Sequence, residues 1–318
     1  MRALVAGGAG FVGSHLCDAL LAAEFDVVCV DNLVTGRSRN IAHLEANARF
    51  SYRQHDICQP LDVQADWVFQ LASPASPPRY LERPVETMMV NAVGTQNLLE
   101  IARRSGGRFL VASTSEVYGD PEVHPQVESY RGSVSCTGPR SCYDEGKRFA
   151  EALTMAYHRA HGLDVRIIRI FNTYGPRLDP GDGRVVSNFL AEVLRGQPLT
   201  IFGSGEQTRS FCYVSDLVAG IVAVMRYEAG NGEVFNLGNP QERTMLDLVR
   251  IIQSVLGTNL PTTYHPLPED DPRRRQPDIT KARAVLGWEP MVALEDGLRR
   301  TAEWFRTELA SDAVGVGR

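Results

Sequence analysis

Two side chains in the middle of the chain have the types and spacing of a proton-transfer pair. In Tyr143-Asp144-Glu145-Gly146-Lys147, Tyr143 and Lys147 stand four apart and share one face of a helix. A free phenol has a pKa of ~10, so it takes a proton near neutral pH only when cations beside it lower that value. Alone, such a pair reads as a surface tyrosine packed on a lysine stem. The preceding run, Val111-Ala112-Ser113-Thr114-Ser115-Glu116-Val117-Tyr118-Gly119, shifts the balance. It gathers hydroxyls at the carboxyl end of an apolar strand, where open α/β sheets hold their ligands, so Thr114 can share a substrate hydroxyl with Tyr143.

A second cation can come from a cofactor. Gly7-Gly8-Ala9-Gly10-Phe11-Val12-Gly13 follows a strand and opens a helix. Glycines there allow a tight turn and bring backbone N–H groups against a pyrophosphate at a helix N-terminus. The next strand ends at Asp31, roughly 20 residues on, where an acid binds an adenosine ribose. A carboxylate there repels a 2′-phosphate and favours NAD over NADP. Arg37, in Thr35-Gly36-Arg37, is the counterargument, since it could pair with that phosphate or, as readily, touch the pyrophosphate. NAD is the expected cofactor.

The elements that must position these groups alternate regularly. Leu4-Val5-Ala6, Val27-Val28-Cys29-Val30, Trp67-Val68-Phe69, Phe109-Leu110-Val111 and Val165-Arg166-Ile167-Ile168 read as strands. Helical patterns run from Gly13 to Ala23, Val85 to Arg104 and Tyr143 to His161. This predicts an α/β fold, a Rossmann-type doubly wound parallel sheet covered on both faces by helices. After about Thr173, Gly and Pro become frequent, which predicts a smaller mixed α/β substrate-binding cap ending in an amphipathic helix near Leu294 to Leu309. The expected division is 1–173 for the cofactor, with 210–238 returning to it, 174–209 and 239–310 for the cap, and a frayed tail over 311–318.

Bulk properties narrow the class. The 318 residues are 43% hydrophobic, enough for one large or two smaller domains, and the net charge of −5 argues against nucleic acid or anionic lipid as a partner. No run approaches the ~20 apolar residues of a membrane span. Strand-like residues start at Arg2, which leaves no room for a signal peptide and sets the expectation of a cytoplasmic protein. Cys17, Cys29, Cys58, Cys136, Cys142 and Cys212 lack C-x-x-C spacing and His partners, so reduced thiols are expected, with no metal site.

Together these features resemble the extended short-chain dehydrogenase/reductase family, whose sugar-nucleotide members use Thr or Ser, Tyr and Lys in these positions. Within it, about Arg2 to Leu309 is similar to the UDP-glucuronate decarboxylases (UDP-xylose synthases). The resemblance is carried by Leu71-Ala72-Ser73-Pro74-Ala75-Ser76-Pro77-Pro78, Ser113 to Gln126, Gly138-Pro139-Arg140 and Cys142 to Arg148. Downstream it is carried by Ile170 to Arg177, Asp182 to Phe189, Gln207-Thr208-Arg209, Asp270-Asp271-Pro272, Arg275 and Pro277-Asp278.

The resemblance implies a redox-neutral cycle: oxidation at the sugar 4-hydroxyl, loss of carbon dioxide from the resulting β-keto acid, and re-reduction by the retained cofactor. The 4,6-dehydratases resemble Thr-Asp-Glu after this strand, and here Ser115 replaces the Asp; 4-epimerases usually lack the carboxylate of Glu116. The catalytic set implied is Thr114, Glu116, Tyr143, Lys147 and Arg275. For Glu116 the readings are orienting the sugar ring, managing a proton or water, or lying solvated in a loop. Arg273-Arg274-Arg275 reads as a solvated run or, at Arg275, as a contact for the substrate carboxylate or diphosphate, which a planar fork suits.

For the cofactor the resemblance adds Asn32, Thr35, Gly36, Asp56, Ile57, Leu71, Ser73 and Thr173 to the glycines, Phe11, Val12, Asp31, Tyr143 and Lys147. For the substrate it implies Ser115, Glu116, Asn172, Arg184, Asn188, Arg209 and Arg275, with Phe202 either covering the uracil ring or packing in the cap core. It also implies a homodimer pairing the Val85–Arg104 and Tyr143–His161 helices with their mates, for which Val93, Leu98 and Ile101 are apolar enough, although apolar helix faces also mean core. The alternatives are a UDP-glucuronate 4-epimerase or another NAD-dependent nucleotide-sugar enzyme and, from a different class, a non-catalytic NAD-binding sensor or scaffold.

Overall fold

The computed structural model describes residues 1–267 and 274–315, with side chains described to residue 310. Asp270-Asp271-Pro272, Arg273 and residues 316–318 lie outside the described residues. The chain opens with β1 (Arg2–Ala6), α1 (Phe11–Ala22), β2 (Asp26–Asp31), β3 (Phe50–Gln54) and β4 (Trp67–Gln70). It continues through α2 (Pro77–Glu82), α3 (Pro84–Met89), a π-turn at Val90–Gly94, α4 (Thr95–Ser105), β5 (Arg108–Thr114), α5 (Ser141–His161) and β6 (Val165–Ile170). Next come β7 (Thr173–Tyr174), α6 (Val185–Leu194), β8 (Leu199–Phe202), β9 (Thr208–Ser210), β10 (Cys212–Tyr213), α7 (Val214–Arg226) and β11 (Glu233–Leu237). The last elements are β12 (Glu242–Thr244), α8 (Met245–Leu256), β13 (Thr262–His265), β14 (Arg274–Arg275), α9 (Thr280–Leu286) and α10 (Leu294–Gly315).

Seven strands form one parallel sheet in the order β11-β6-β5-β4-β1-β2-β3. The strand order reverses beside β1, and that switch point opens a crevice at the carboxyl ends of the strands. Successive residues of β1 face opposite sides: Ala3 and Val5 join the core under α1 and α7, while Leu4 and Ala6 join the core that buries Leu98 and Leu99 of α4. Two-sided burial explains the unbroken apolar runs of these strands. β3 escaped the apolar-run reading because it is an edge strand, where only Phe50 and Tyr52 turn partly inward.

β11 closes the other edge, and α7 is locked beneath it by Arg166. This side chain is fully buried, and its guanidinium donates to the carbonyls of Val224 (3.0 Å) and Tyr227 (2.8 Å) and pairs with Asp164 at 2.5 Å. Small sheets complete the rest: β12-β9-β14, β13 with β8, and β10 with β7. The final helix is described as far as Gly315. Leu98 and Ile101 are in the core, 0% and 1% exposed, so they cannot form a partner-facing surface; Val93 is half-buried. The exposed apolar side chains near these helices are instead Val85, Met88, Met89 and Phe149.

Close backbone packing marks the first turn. A Cβ on Gly13 would stand 2.1 Å from the Gly7 carbonyl oxygen, and one on Gly7 (φ +78°) would stand 2.8 Å from the Ala72 nitrogen. Both obstacles are backbone, so nothing can rotate away. Gly13→Ala is therefore expected to destabilise the fold by about 2 kcal/mol or more, read as a lower urea midpoint at unchanged slope; a wild-type midpoint would refute the packing argument.

Candidate active site

The crevice above the sheet is a single cavity of about 1110 Å³ running from the glycine turn to the small sheets. At one end, α1 begins at Phe11 after Gly10, with no side-chain cap and no acidic residue in its first turn. The first-turn N–H groups of a helix lack partners within it, so this end attracts an anion. Asp31, at the end of β2, accepts from the backbone N–H of Ala9 (3.0 Å) and Leu33 (2.8 Å). Burial raises its pKa, and those donors work to lower it.

Asn32, Thr35, Asp56, Ile57, Leu71 and Ser73 line the same stretch. Gly36 does not line it; a Cβ there would meet the Asp31 carboxylate at 2.6 Å, so the glycine makes room for that group. Thr173 lines the cavity too, but its hydroxyl donates to the Phe171 carbonyl at 2.9 Å, leaving methyl and backbone to face a ligand. The uncapped helix end, the glycine clearances and the carboxylate fit a dinucleotide: anion-ready amides for the pyrophosphate, and Asp31 for a ribose.

Tyr143 and Lys147 enter from the first turns of α5, below the end of β5. The Lys147 ammonium donates to the Ala112 carbonyl at 2.8 Å and stands 5.9 Å from the centre of the Tyr143 ring. Burial moves the two groups in opposite directions. It pushes the Tyr143 phenol up to about 12, against a hydrogen bond with Thr114, and brings Lys147 down to about 7. Taking a proton at neutral pH thus requires a further positive charge at the ring, which an oxidised nicotinamide carries. The Thr114 hydroxyl also accepts from the Glu116 amide (3.2 Å), starting the turn over Ser115–Tyr118 that aims Glu116 inward.

Glu116 is the centre of a charge cluster that spacing could not show. Arg275 of β14 grips its carboxylate with both terminal nitrogens, one at 2.9 Å, and Arg140 approaches from the other side at 2.5 Å. Burial opposes the Glu116 charge, yet Arg275 and Arg140 outweigh it and hold the carboxyl down at about 2. The solvated-loop reading fails, because the carboxylate is paired with two arginines and its side chain is only 15% exposed. Arg209 adds to this positive field from β9. Arg184 lines the cavity while paired with Asp182 at 2.5 Å, and Asn188 donates to the Gly183 carbonyl at 3.1 Å. The Asn172 amide nitrogen is buried without a partner, ready for an acceptor in the cavity. Phe202 is exposed at the cavity edge, 38% accessible, so the core-packing alternative is wrong.

Three residues were missed by reasoning on roles. Tyr80 stacks on Tyr143, ring centres 4.9 Å apart and 5° from parallel, with its buried hydroxyl unpartnered. Its signal was its place two residues past the Ser-Pro-rich run ending at Pro78. Arg140 and Asp144 stood inside quoted strings without a role. Asp144 is buried, with one oxygen unpartnered and the other 4.0 Å from Arg140. Burial and then the Glu116 charge push its carboxyl up to about 7, against Arg140 and Arg275.

Residues 3–238 match the model of the NAD dependent epimerase/dehydratase family, and the chain belongs to that family. Within it, the chain is 52% identical over 312 residues to UDP-glucuronic acid decarboxylase 1 of Xenopus tropicalis, covering 98% of this chain and 74% of that one. It is 53% identical over 312 residues to UDP-glucuronic acid decarboxylase 4 of Arabidopsis thaliana, covering 98% and 70%. Among solved structures it resembles the UDP-glucuronic acid 4-epimerase of Bacillus cereus in complex with UDP-glucuronic acid and NAD, with a TM-score of 0.88 and 31% identity over 97% of this chain and 100% of that one. The UDP-glucose 4-epimerase of Thermotoga maritima with UDP-glucose gives 0.88 and 34% over the same shares.

The Asp144 carboxyl supplies a test of the site's electrostatics. Its folded pKa is raised, so the folded protein keeps a proton that the unfolded chain releases between about pH 4 and 7, and wild-type stability falls as pH rises through that window. Asp144→Asn removes this dependence. The melting-temperature difference, variant minus wild type, is expected to grow from pH 4.5 to 7.5; a constant difference contradicts the burial argument.

Proposed function

We propose that the chain converts UDP-glucuronate to UDP-xylose and carbon dioxide, with NAD regenerated in each cycle. The observation that carries this reading is Glu116 clamped by Arg275 and Arg140 beside Tyr143, in a chain about half identical to UDP-glucuronic acid decarboxylases over nearly its full length. Bound NAD supplies the acceptor for the hydride of the sugar C4 and returns it at the end. Everything else falls to side chains of this chain.

Tyr143 takes the proton of the 4-hydroxyl, which Thr114 shares, and Lys147 together with the positive charge that a bound nicotinamide would add makes the phenol acidic enough. The 4-keto sugar is then a β-keto acid, and its carboxylate leaves as carbon dioxide while the electron pair moves onto the 4-oxygen; C5 of the enolate then takes a solvent-derived proton, and return of the hydride to C4 with the Tyr143 proton to the 4-oxygen completes UDP-xylose. The hydroxyls of Tyr143 and Thr114 are placed to donate to that enolate, in a site where burial strengthens such bonds. Arg275 already grips one carboxylate, that of Glu116, so a substrate carboxylate can exchange into the same fork. Arg140 keeps Glu116 compensated during the exchange. Arg184, Arg209, Asn172, Asn188 and Ser115 face the nucleotide-sugar half of the cavity, and Phe202 covers the base.

The same reading assigns 1–173 with 210–238 to the cofactor and 174–209 with 239–310 to the substrate. It includes a cytoplasmic location, in keeping with six free cysteines. It also includes a homodimer, now through Met88 of α3 and Phe149 of α5, which are exposed and large.

Purified protein given UDP-glucuronate is expected to release carbon dioxide in step with UDP-xylose, without net NADH. Formation of UDP-galacturonate with no carbon dioxide would establish the epimerase instead. Tyr143→Phe is expected to lower turnover by about 10²–10⁴-fold while NAD binding stays within a few fold; full activity would remove Tyr143 as the base and reopen the non-catalytic reading. Light scattering should show a dimer that Met88→Asp/Phe149→Asp converts to monomer, and an unchanged mass would displace the interface.

A further inference from the structure

We infer that Asp179 and Glu308, far from β2 in sequence, are specificity-determining residues for the cofactor, because they engage the arginines that would otherwise receive the 2′-phosphate of NADP. The inference rests on the adenosine ribose lying beside Asp31, as the family's dinucleotide site requires, and not on the identity of the sugar substrate.

Arg37 lines the cavity next to Asp31, Asn32 and Thr35, with its backbone N–H bound to the Ala9 carbonyl at 3.0 Å. Its position suits phosphate binding, and guanidinium forks bind phosphate bidentately. In the structure both arms of the fork point at carboxylates. One terminal nitrogen lies 2.5 Å from Asp179, in the loop after β7, and the other 3.6 Å from Glu308 of α10. Arg39 also pairs with Glu308. The Glu308 side chain is only 8% exposed, so water and salt screen these pairs less than ordinary surface pairs.

The local balance follows from those contacts. Three arginines, Arg37, Arg39 and Arg79, stand among three carboxylates, Asp31, Asp179 and Glu308. A 2′-phosphate arriving here must displace carboxylates from Arg37 and bring two more negative charges to a corner whose arginines are already matched. A ribose hydroxyl meets neither cost. Remove the charges of the two distant acids and one carboxylate faces three arginines, an arrangement that attracts phosphate. Asp31 alone therefore does not set the preference.

The test is the affinity of the full-length protein for NAD⁺ and NADP⁺, measured by isothermal titration without sugar substrate. Asp179→Asn preserves the acceptor that the Gly181 N–H uses at 2.9 Å, and Glu308→Gln preserves volume, so the double variant is expected to fold. It should bind NADP⁺ at least tenfold more tightly than wild type, with NAD⁺ changed less than threefold. Adding Arg37→Ala should erase the gain. An unchanged NADP⁺ affinity in the double variant overturns the inference, as does a gain that survives Arg37→Ala.

Arg37→Ala alone, which leaves both acids in place, provides a second arm. It should change the ratio of NADP⁺ to NAD⁺ affinity less than threefold, because Arg37 is already engaged; a tenfold fall in that ratio would show that it serves the 2′-phosphate in wild type and would overturn the inference. Failure of the decarboxylation assay would leave these binding results standing, whereas loss of both dinucleotides would overturn the cofactor site itself.

Discussion

The ammonium of Lys147, buried and fixed to the Ala112 carbonyl at 2.8 Å, is the point on which the site is hung. It joins the helix that carries Tyr143 to the strand that ends in Thr114, so base, hydroxyl and ammonium are set by one backbone-anchored bond. Burial makes that arrangement electrically tense. It lowers Lys147 and raises Tyr143, so the protein alone holds a lysine ready to lose its charge and a phenol that keeps its proton. The pair is thus completed by what enters the cavity, which ties chemistry to occupancy.

The opposite solution operates a few residues away. Glu116 is half-buried, but two arginines flank it and its charge is secure. Removing one partner from such a cluster leaves an uncompensated ion, whereas a second carboxylate entering beside Glu116 sets two carboxylates against two arginines. A substrate that brings its own carboxylate is the ligand this corner tolerates best. Asp144, with an unpartnered oxygen and only a distant arginine, shows what happens nearby when compensation is incomplete: its carboxyl rises to about 7.

Much of this was legible in the sequence for definite reasons. Strands buried on both faces leave continuous apolar runs, and a turn with no space for a Cβ leaves Gly7 and Gly13; both are local signals. Tyr143 and Lys147 announce themselves through helical spacing. β3 did not, because an edge strand buries only alternate residues. Leu98 and Ile101 look alike as core or interface, since an apolar stripe does not say what covers it; here the sheet does. The meeting of Glu116 with Arg275, 159 positions away, is tertiary, and no local pattern encodes the pairing. Family resemblance named Arg275 as a site residue, and only the fold supplied its partner.

The return of β11 to the sheet after the cap segments have begun bears on how the chain is made. β6 ends at Ile170, but its outer neighbour in the sheet starts at Glu233. During synthesis, β6 waits with one hydrogen-bonding edge open while the intervening residues leave the ribosome. An open edge on a hydrophobic strand invites pairing with another chain. The nascent protein therefore carries an open edge beside β6 after its cofactor turn and catalytic helix already exist.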